Sequence, residues 1–534
     1  MAVPTIVHRL FLLATVALTA FVVVNATQVM HRPEAYKDVP RKFATSEVKP
    51  QVIHKRAGSK VQAAYFTNWG IYGANFQPTD IDPTTLTHIV YAFADVSSDT
   101  GAITLTDSYA DEQKHFPGDS WDEPGNNLYG CLKQLYLLKL NNRNLKVLLS
   151  VGGWTYSQAG HFSFVTDATK RATFVTSAVS MIENYGFDGI DIDFEYPNSA
   201  DLANGFASLL ASLRTAFDNL QKQKGDSTPY QLTAAVPAGS DNYEWLEVPQ
   251  MNAALTYWNL MVRSLGFSTY LELTQSQAYD YAGSWLTWAD NQANLYGGAR
   301  TNVSTDKAVK WYIANGASAN KINMGIPLYG RAFEDTTGIG APFNGIGPGT
   351  TEAGIYSYTD LPLAGAQVFE NLTDVSSYSY DSAKKELVSY DTPHIVTIKA
   401  QYVQSNGLAG SMFWDLSTDK TGAESLVGTT AGVFGSLDQT QNHINYPNSE
   451  WDNIRNNMGT SSSSSTTSVG SPTTTPTSQP TGGSCAGVAA WSASSVYTGG
   501  QQATYQGHLW TAKWWTEGDT PGGSAGVWTD NGPC

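Results

Sequence analysis

Three acidic residues at alternate positions are the densest chemistry in the chain. In FDGIDIDFEYP, residues 187–197, Asp191, Asp193 and Glu195 alternate with Ile190, Ile192 and Phe194. A strand sends successive side chains to opposite faces, so the acids share one face and the apolar set the other. Neighbouring carboxylates on that face stand about 7 Å apart in Cα rise. They cannot all stay ionised cheaply, which raises one pKa and turns that group into a proton donor. Glu195, the outermost, is best placed to reach a substrate. The same face could instead hold Mg²⁺ or Ca²⁺ through oxygen ligands, or pair with basic residues. The segment contains no His, Cys, Lys or Arg, so acid catalysis is the stronger expectation, with no metal and no cofactor.

Such a strand needs a scaffold that aims it at a cleft. Short β-rich apolar runs occur at 61–66, 88–93, 146–151, 189–194, 232–236, 257–261, 322–326 and 410–414, with helical patterns such as 172–185 and 201–219 between them. That alternation predicts an α/β chain closed into a (β/α)8 TIM barrel, with an open doubly wound sheet as the alternative. In a barrel the acids line the inside at the C-terminal mouth, where barrel chemistry sits, and the apolar set packs on the helices. The stretch from about 332 to 397 is too long for one βα unit and holds strand-like pieces. It predicts a small α+β insertion before the last strand.

The ends of the chain carry other signals. An apolar run at 10–24 follows His8 and Arg9 and ends in Val24-Asn25-Ala26. It reads as a secretory signal peptide, residues 1–26, because it falls short of the roughly 20 apolar residues a membrane span needs. Residues 27–56 are polar and end in the dibasic pair Lys55-Arg56, which suggests a pro-segment and a mature chain starting near Ala57. Residues 460–484, TSSSSSTTSVGSPTTTPTSQPTGGS, form a linker separating a large domain, 57–459, from a tail, 485–534. Cys485 and Cys534 bracket this 50-residue tail, and a disulfide closing such a loop is worth roughly 4 kcal/mol on the chain-entropy model. Cys131 is expected to be a buried thiol. The net charge of −16 disfavours nucleic acid and anionic membrane as partners. The 15 Trp and 28 Tyr suit the apolar faces of sugars as well as cores.

With DGIDIDFE at 188–195, SVGGW at 150–154, GIPLYGR at 325–331 and GSMFW at 410–414, the chain resembles the family 18 glycoside hydrolases, the chitinases, and secreted fungal endochitinases in particular. Phe194 stands where the commonest fungal form has Trp, a change on the outward face. The resemblance implies a substrate-assisted, retaining hydrolysis of chitin and chitooligosaccharides by a secreted monomer. Glu195 would act as general acid and then base, Asp193 would hold the substrate's acetamido N–H, and Asp191, bonded to Ser150, would tune Asp193. Asp188 would be structural. Trp414 would form the floor beneath the −1 sugar, with Tyr65 and Phe93 beside it. Gly152, Gly153, Trp154, Tyr196, Tyr329 and Arg331 would line neighbouring subsites, packing roles being the alternative for the aromatics. A non-enzymatic chitin-binding lectin on the same barrel is a rival reading, opposed by the presence of Glu195. An endo-β-N-acetylglucosaminidase acting on glycoproteins is another, opposed by the tail.

The tail resembles a family 5/12 carbohydrate-binding module through WTAKWWTEGDTPG, with Trp491, Tyr497 and Trp528 completing the aromatic pattern. Adjacent Trp514 and Trp515 on a strand must point opposite ways, so at least one is expected on a flat sugar-binding surface.

One segment breaks the pattern. The family's sixth strand ends as a continuous NLMAYDYAGS, whose Tyr and Asp contact the acetamido group and the acid. Here residues 259–261 and 278–284 match on either side, leaving Met261 separated from Tyr279 and Asp280 by residues 262–277. A Val codon begins with GT, a Gln codon can end in AG, and Glu272-Leu273-Thr274 can be encoded with CTGAC, a usable branch point. The 16 extra residues therefore read as a retained short intron in frame. A genuine loop insertion would have to interrupt a barrel strand, where backbone groups lose their ladder partners.

Overall fold

Eight buried strands, each too apolar to face water on either side, close on one another in the computed structural model. It describes residues 60–261, 280–350, 352–459, 485, 488–493, 495–497, 501–513, 516–523 and 527–533. The signal, pro-segment, linker and suspected intron lie outside the described residues, as do Tyr279, Trp514, Trp515 and Cys534. The chain divides into two compact units, Met1–Ser462 and Ser463–Cys534.

In the first unit the strands are β1 (Val61–Thr67), β2 (His88–Val96), β3 (Lys146–Gly152), β4 (Gly189–Asp193), β5 (Gln231–Val236), β6 (Tyr257–Leu260), β7 (Ile322–Pro327) and β8 (Gly410–Trp414). Each pairs in parallel with the next, and β8 pairs with β1, so the sheet closes. Around it lie α1 (Gly130–Asn141), α2 (Ala168–Tyr185), α3 (Ala200–Lys224), α4 (Val248–Ala254), α5 (Thr305–Ala314), α6 (Pro393–Ser405) and α7 (Leu426–Phe434). The longest of these shows why such segments become helices. Ser199 Oγ accepts from Leu202 N to cap the start of α3, and Gly225, at φ 70°, ends it in the left-handed region. Between them Phe206, Leu210, Leu213, Phe217 and Leu220 recur at three and four residues and are buried.

The insertion lies between β7 and α6. It is a five-stranded antiparallel sheet in the spatial order Ile355–Ser357, Tyr329–Phe333, Glu386–Ser389, Ser376–Asp381, Gln367–Asn371. Both of its edges differ from the expected 332 and 397. The chain passes from Pro327 almost directly into a sheet strand at Tyr329, so the GIPLYGR segment serves barrel and insertion together. The far edge falls earlier because Pro393 at the first turn and Thr392, whose side chain accepts from Ile395 N, start α6 there. The second unit is small and all-β, with strands Gln502–Tyr505, His508–Ala512 and Trp528–Pro533 in one sheet. Trp491, Tyr497 and Trp510 pack on its buried centre at Ala503, Ala512, Val527 and Trp528. Cys131 is free and buried. Among the described residues no helix is long and apolar enough to cross a membrane.

Asp188, the first acid of the motif, sits one residue before β4 at the barrel's N-terminal end, away from the mouth. Its carboxylate accepts from Val147 N at 2.7 Å and from His443 N at 2.7 Å. It also pairs with Lys139 Nζ at 2.9 Å, both side chains being 1% exposed. Lys139 donates in turn to Gly186 O and to Tyr446 Oη, and burial lowers its pKa to about 8. One acid therefore ties β4, α1 and the segment that follows α7. Asp188→Ala leaves the Lys139 amine buried without its counter-ion, and is expected to cost about 3–5 kcal/mol. Chemical denaturation checks this: the midpoint should fall while the activity of the folded fraction is retained.

Candidate active site

The strand register brings the acids to one place. Asp191 on β4 is level with Ser150 on β3 and Thr233 on β5. It is fully buried and accepts from Ser150 Oγ at 2.7 Å, Tyr65 Oη at 2.9 Å, Asn259 Nδ2 at 3.1 Å and Thr233 Oγ1. Asn259 Oδ1 accepts in turn from Asn323 Nδ2 at 3.0 Å, extending the network across β6 and β7. Burial pushes the Asp191 pKa up, and the four donors pull it partway back.

Asp193 ends β4 and is 2% exposed. Its carbonyl accepts from Gly153 N at 2.8 Å and Ser157 Oγ at 3.3 Å. Gly152 permits this approach: at φ 116°, a Cβ there would stand 2.3 Å from that carbonyl oxygen. The paired glycines of SVGGW thus let the end of β3 close on the end of β4. Glu195 lies two residues beyond the strand, in the mouth. Its backbone is held at both ends, N–H donating to Ser157 Oγ at 2.9 Å and carbonyl accepting from Gln158 Nε2 at 2.6 Å. Tyr196 Oη donates to Glu195 Oε2 at 3.0 Å. Phe194 turns the other way and stacks on Phe162 with centroids 4.4 Å apart.

Aromatic rings wall the mouth. Trp414, at the end of β8, lies 5.2 Å from Tyr65 and stacks on Phe93 at 5.6 Å, with Trp69 6.4 Å away. Phe93 reaches it past a register shift between Tyr91 and Ala94 on β2. Trp154 is buried at the start of the short helix that leaves β3. On the insertion side, Asp280 is held by both Nε and Nη2 of Arg331 and accepts from Tyr329 Oη at 2.9 Å. The Arg331 guanidinium lies over the Trp285 ring at 4.9 Å. Met261 follows β6 and donates its backbone N–H to Val236 O at 2.7 Å.

Most of the residues singled out from sequence therefore meet at the C-terminal ends of β1, β2, β3, β4, β6 and β8, while Asp188 lies at the opposite end. Thr233, Asn259, Ser157 and Gln158 escaped the sequence reading. The signal for the first two was parity, since each is a polar residue in an apolar strand and level with the acids. Ser157 and Gln158 belong to a turn whose direction no periodicity discloses.

A barrel with a carboxylate file and an aromatic wall at its mouth has the makings of a glycosidase. The family model "Glycosyl hydrolases family 18" matches residues 61–419, and "Carbohydrate-binding module family 5/12" matches 490–529. The chain is 45% identical over 410 residues to Chitinase 1 of Aphanocladium album, covering 76% of this chain and 93% of that one. It is 44% identical to Endochitinase 1 of Metarhizium robertsii over the same shares of both chains. Among solved structures, the catalytic domain of psychrophilic chitinase B from Arthrobacter TAD20 superposes with a TM-score of 0.63 at 27% identity, covering 72% of this chain and 98% of that one. The Ostrinia furnacalis Group IV chitinase in complex with allosamidin gives 0.60 at 27% identity, covering 70% and 99%. The chain belongs to glycosyl hydrolase family 18.

Thr233→Val keeps the side chain's shape and removes one donor from Asp191. With one donor fewer, the carboxylate is less favoured, so its pKa rises. A roughly tenfold loss of kcat is expected, with the acidic limb of the pH–rate profile moved to higher pH. An unchanged profile would separate Asp191 from the reaction.

Proposed function

We propose that this chain is a secreted endochitinase that hydrolyses the β-1,4 bonds between N-acetylglucosamine units with retention of configuration. The observation carrying this reading is the file Asp191, Asp193, Glu195, with its inner member buried among four donors and its outer member in the mouth beneath aromatic walls. Family 18 is an exception among retaining glycosidases, because the substrate itself supplies the nucleophile. Glu195 gives its proton to the glycosidic oxygen as the C1–O bond breaks. The carbonyl oxygen of the −1 sugar's 2-acetamido group then closes on C1 to form an oxazolinium ion. Asp193 accepts from the acetamido N–H and balances the growing positive charge, while Asp191 adjusts how strongly Asp193 holds a proton. Glu195, now a carboxylate, takes a proton from water, which attacks C1 from the face that the leaving group vacated. Trp414 supports the distorted −1 sugar, with Tyr65 and Phe93 behind it. Gly152, Gly153, Trp154, Tyr196, Met261, Tyr329, Arg331 and Asp280 flank the neighbouring subsites, and Tyr279 completes the acetamido pocket.

Fungal relatives named chitinase and endochitinase at 44–45% identity support this substrate over the glycoprotein-directed alternative. Glu195 argues against the lectin. The proposal extends to a signal peptide at 1–26, a pro-segment cut after Arg56, a Cys485–Cys534 disulfide and a monomeric enzyme. Trp514 and Trp515 form the module's chitin-binding surface, which raises local concentration at the insoluble polymer. No cofactor enters the mechanism.

Residues 262–277 are proposed to be a retained intron of about 48 nucleotides. A cDNA keeping those nucleotides as its major form would refute this; the expected major transcript joins Met261 directly to Ala278. For the chemistry, hydrolysis of a chitin oligomer is compared between the parent enzyme and Glu195→Gln. Loss of the general acid is expected to lower kcat by about 10²–10⁴, and the first-formed product should be the β-anomer. Equal rates would overturn the mechanism.

A further inference from the structure

The outer edge of the insertion sheet exposes an apolar surface. Among the described residues strand Gln367–Asn371 pairs only with Ser376–Asp381, and all five of its residues are exposed. Val368 is 44% exposed, Phe369 40% and Leu372, in the turn, 57%. An unpaired edge bearing apolar side chains invites aggregation unless something covers it. The edge also carries an acceptor sequon for N-linked glycan, Asn371-Leu372-Thr373.

Two features distinguish this sequon. Asn371 and Phe369 are two residues apart on one strand, so their side chains leave the sheet on the same face. Phe369 has its inner side stacked on Tyr378, centroids 5.2 Å apart and planes 19° apart, which leaves its outer face open beside Asn371. The Asn371 side chain is also held in place. Its Oδ1 accepts from Thr373 N at 3.0 Å and Asp374 N at 3.2 Å, and Nδ2 donates to Asp374 Oδ2 at 3.0 Å. An amide carrying a sugar keeps its Oδ1 acceptor and one N–H, so the two backbone bonds to Oδ1 are compatible with the modification.

We propose that Asn371 carries an N-linked glycan whose first N-acetylglucosamine stacks its apolar face on Phe369, covering the insertion's open edge. The bond forms between Asn371 Nδ2 and C1 of that sugar. The donor is a lipid-linked oligosaccharide diphosphate: its C1–O bond breaks, the lipid diphosphate leaves, and the amide nitrogen gives up one proton. Aromatic faces hold the polarised C–H groups of a pyranose as they hold other aromatic edges.

Of the chain's two other sequons, Asn25-Ala26-Thr27 lies outside the described residues, and Asn302-Val303-Ser304 lacks this platform. Asn302 sits at φ 61°, and Lys307 Nζ donates to its Oδ1 at 2.6 Å and to its carbonyl at 3.1 Å. Ser304 is 3% exposed and caps α5. Two residues before Asn302 stands Arg300, engaged with Asp290.

The proposal rests on entry into the secretory pathway, so the full chain is expressed in a fungal host both behind its own N-terminus and behind a borrowed secretory leader. Peptide mass spectrometry after treatment in heavy-oxygen water with a peptide-N-glycosidase, the amidase that converts a glycosylated Asn to an oxygen-labelled Asp, reads the occupancy of Asn371. Modified Asn371 with either leader supports the site; modification only behind the borrowed leader refutes the signal peptide alone. Unmodified Asn371 with both overturns the proposal. Thr373→Ala removes the sequon without touching Asn371, and its Tm is expected to fall by about 2 °C relative to the glycosylated parent. Phe369→Ala should lower Tm in the glycosylated chain and much less in the Thr373→Ala background. Equal losses in the two backgrounds would overturn the stacking.

Discussion

A carboxylate inside a closed barrel survives only if donors replace the water it gives up. Asp191 meets that condition with Ser150, Tyr65, Thr233 and Asn259, drawn from four of the eight strands. The rest of the site depends on this. Fixing Asp191 fixes the twist of β4, and with it the direction in which Asp193 and Glu195 leave the strand. The glycines of β3 and the hydroxyl of Ser157 then hold the two outer acids by their backbones, and Tyr196 reaches the Glu195 carboxylate itself.

The barrel was legible because its strands are short, apolar and regularly spaced, and each of the eight expected runs overlaps one observed strand. The inward file of acids was legible for a different reason: alternation in a strand is a geometric certainty, so three polar residues in an apolar run declare their face. The donors around Asp191 lie far away in sequence. Thr233 and Asn259 belong to strands paired in register only after the barrel has closed, and nothing local to either residue predicts that closure. The insertion's near edge falls a few residues before the expected one because a strand that continues through a bend, as Tyr329–Phe333 does after Ile322–Pro327, carries the same signal as one that stops.

The insertion is more than an appendage. Through Tyr329 and Arg331 it delivers the groups that hold Asp280, so a sheet outside the barrel fixes a residue of the segment after β6. Asp280 is buried between those groups, on the far side of residues 262–277 from Met261.

The strap that grips Asp188 has a consequence for the order of synthesis. His443 N, one of the donors to that carboxylate, lies 255 residues downstream, and Tyr446, which accepts from Lys139, lies later still. A growing chain can lay down every barrel strand through Trp414 and still lack the groups that close the floor beneath the catalytic one. Only when residues 443–446 have left the ribosome can Asp188 and Lys139 gain their last partners. The polymer-binding tail, made after that point, can therefore join a barrel that is already complete.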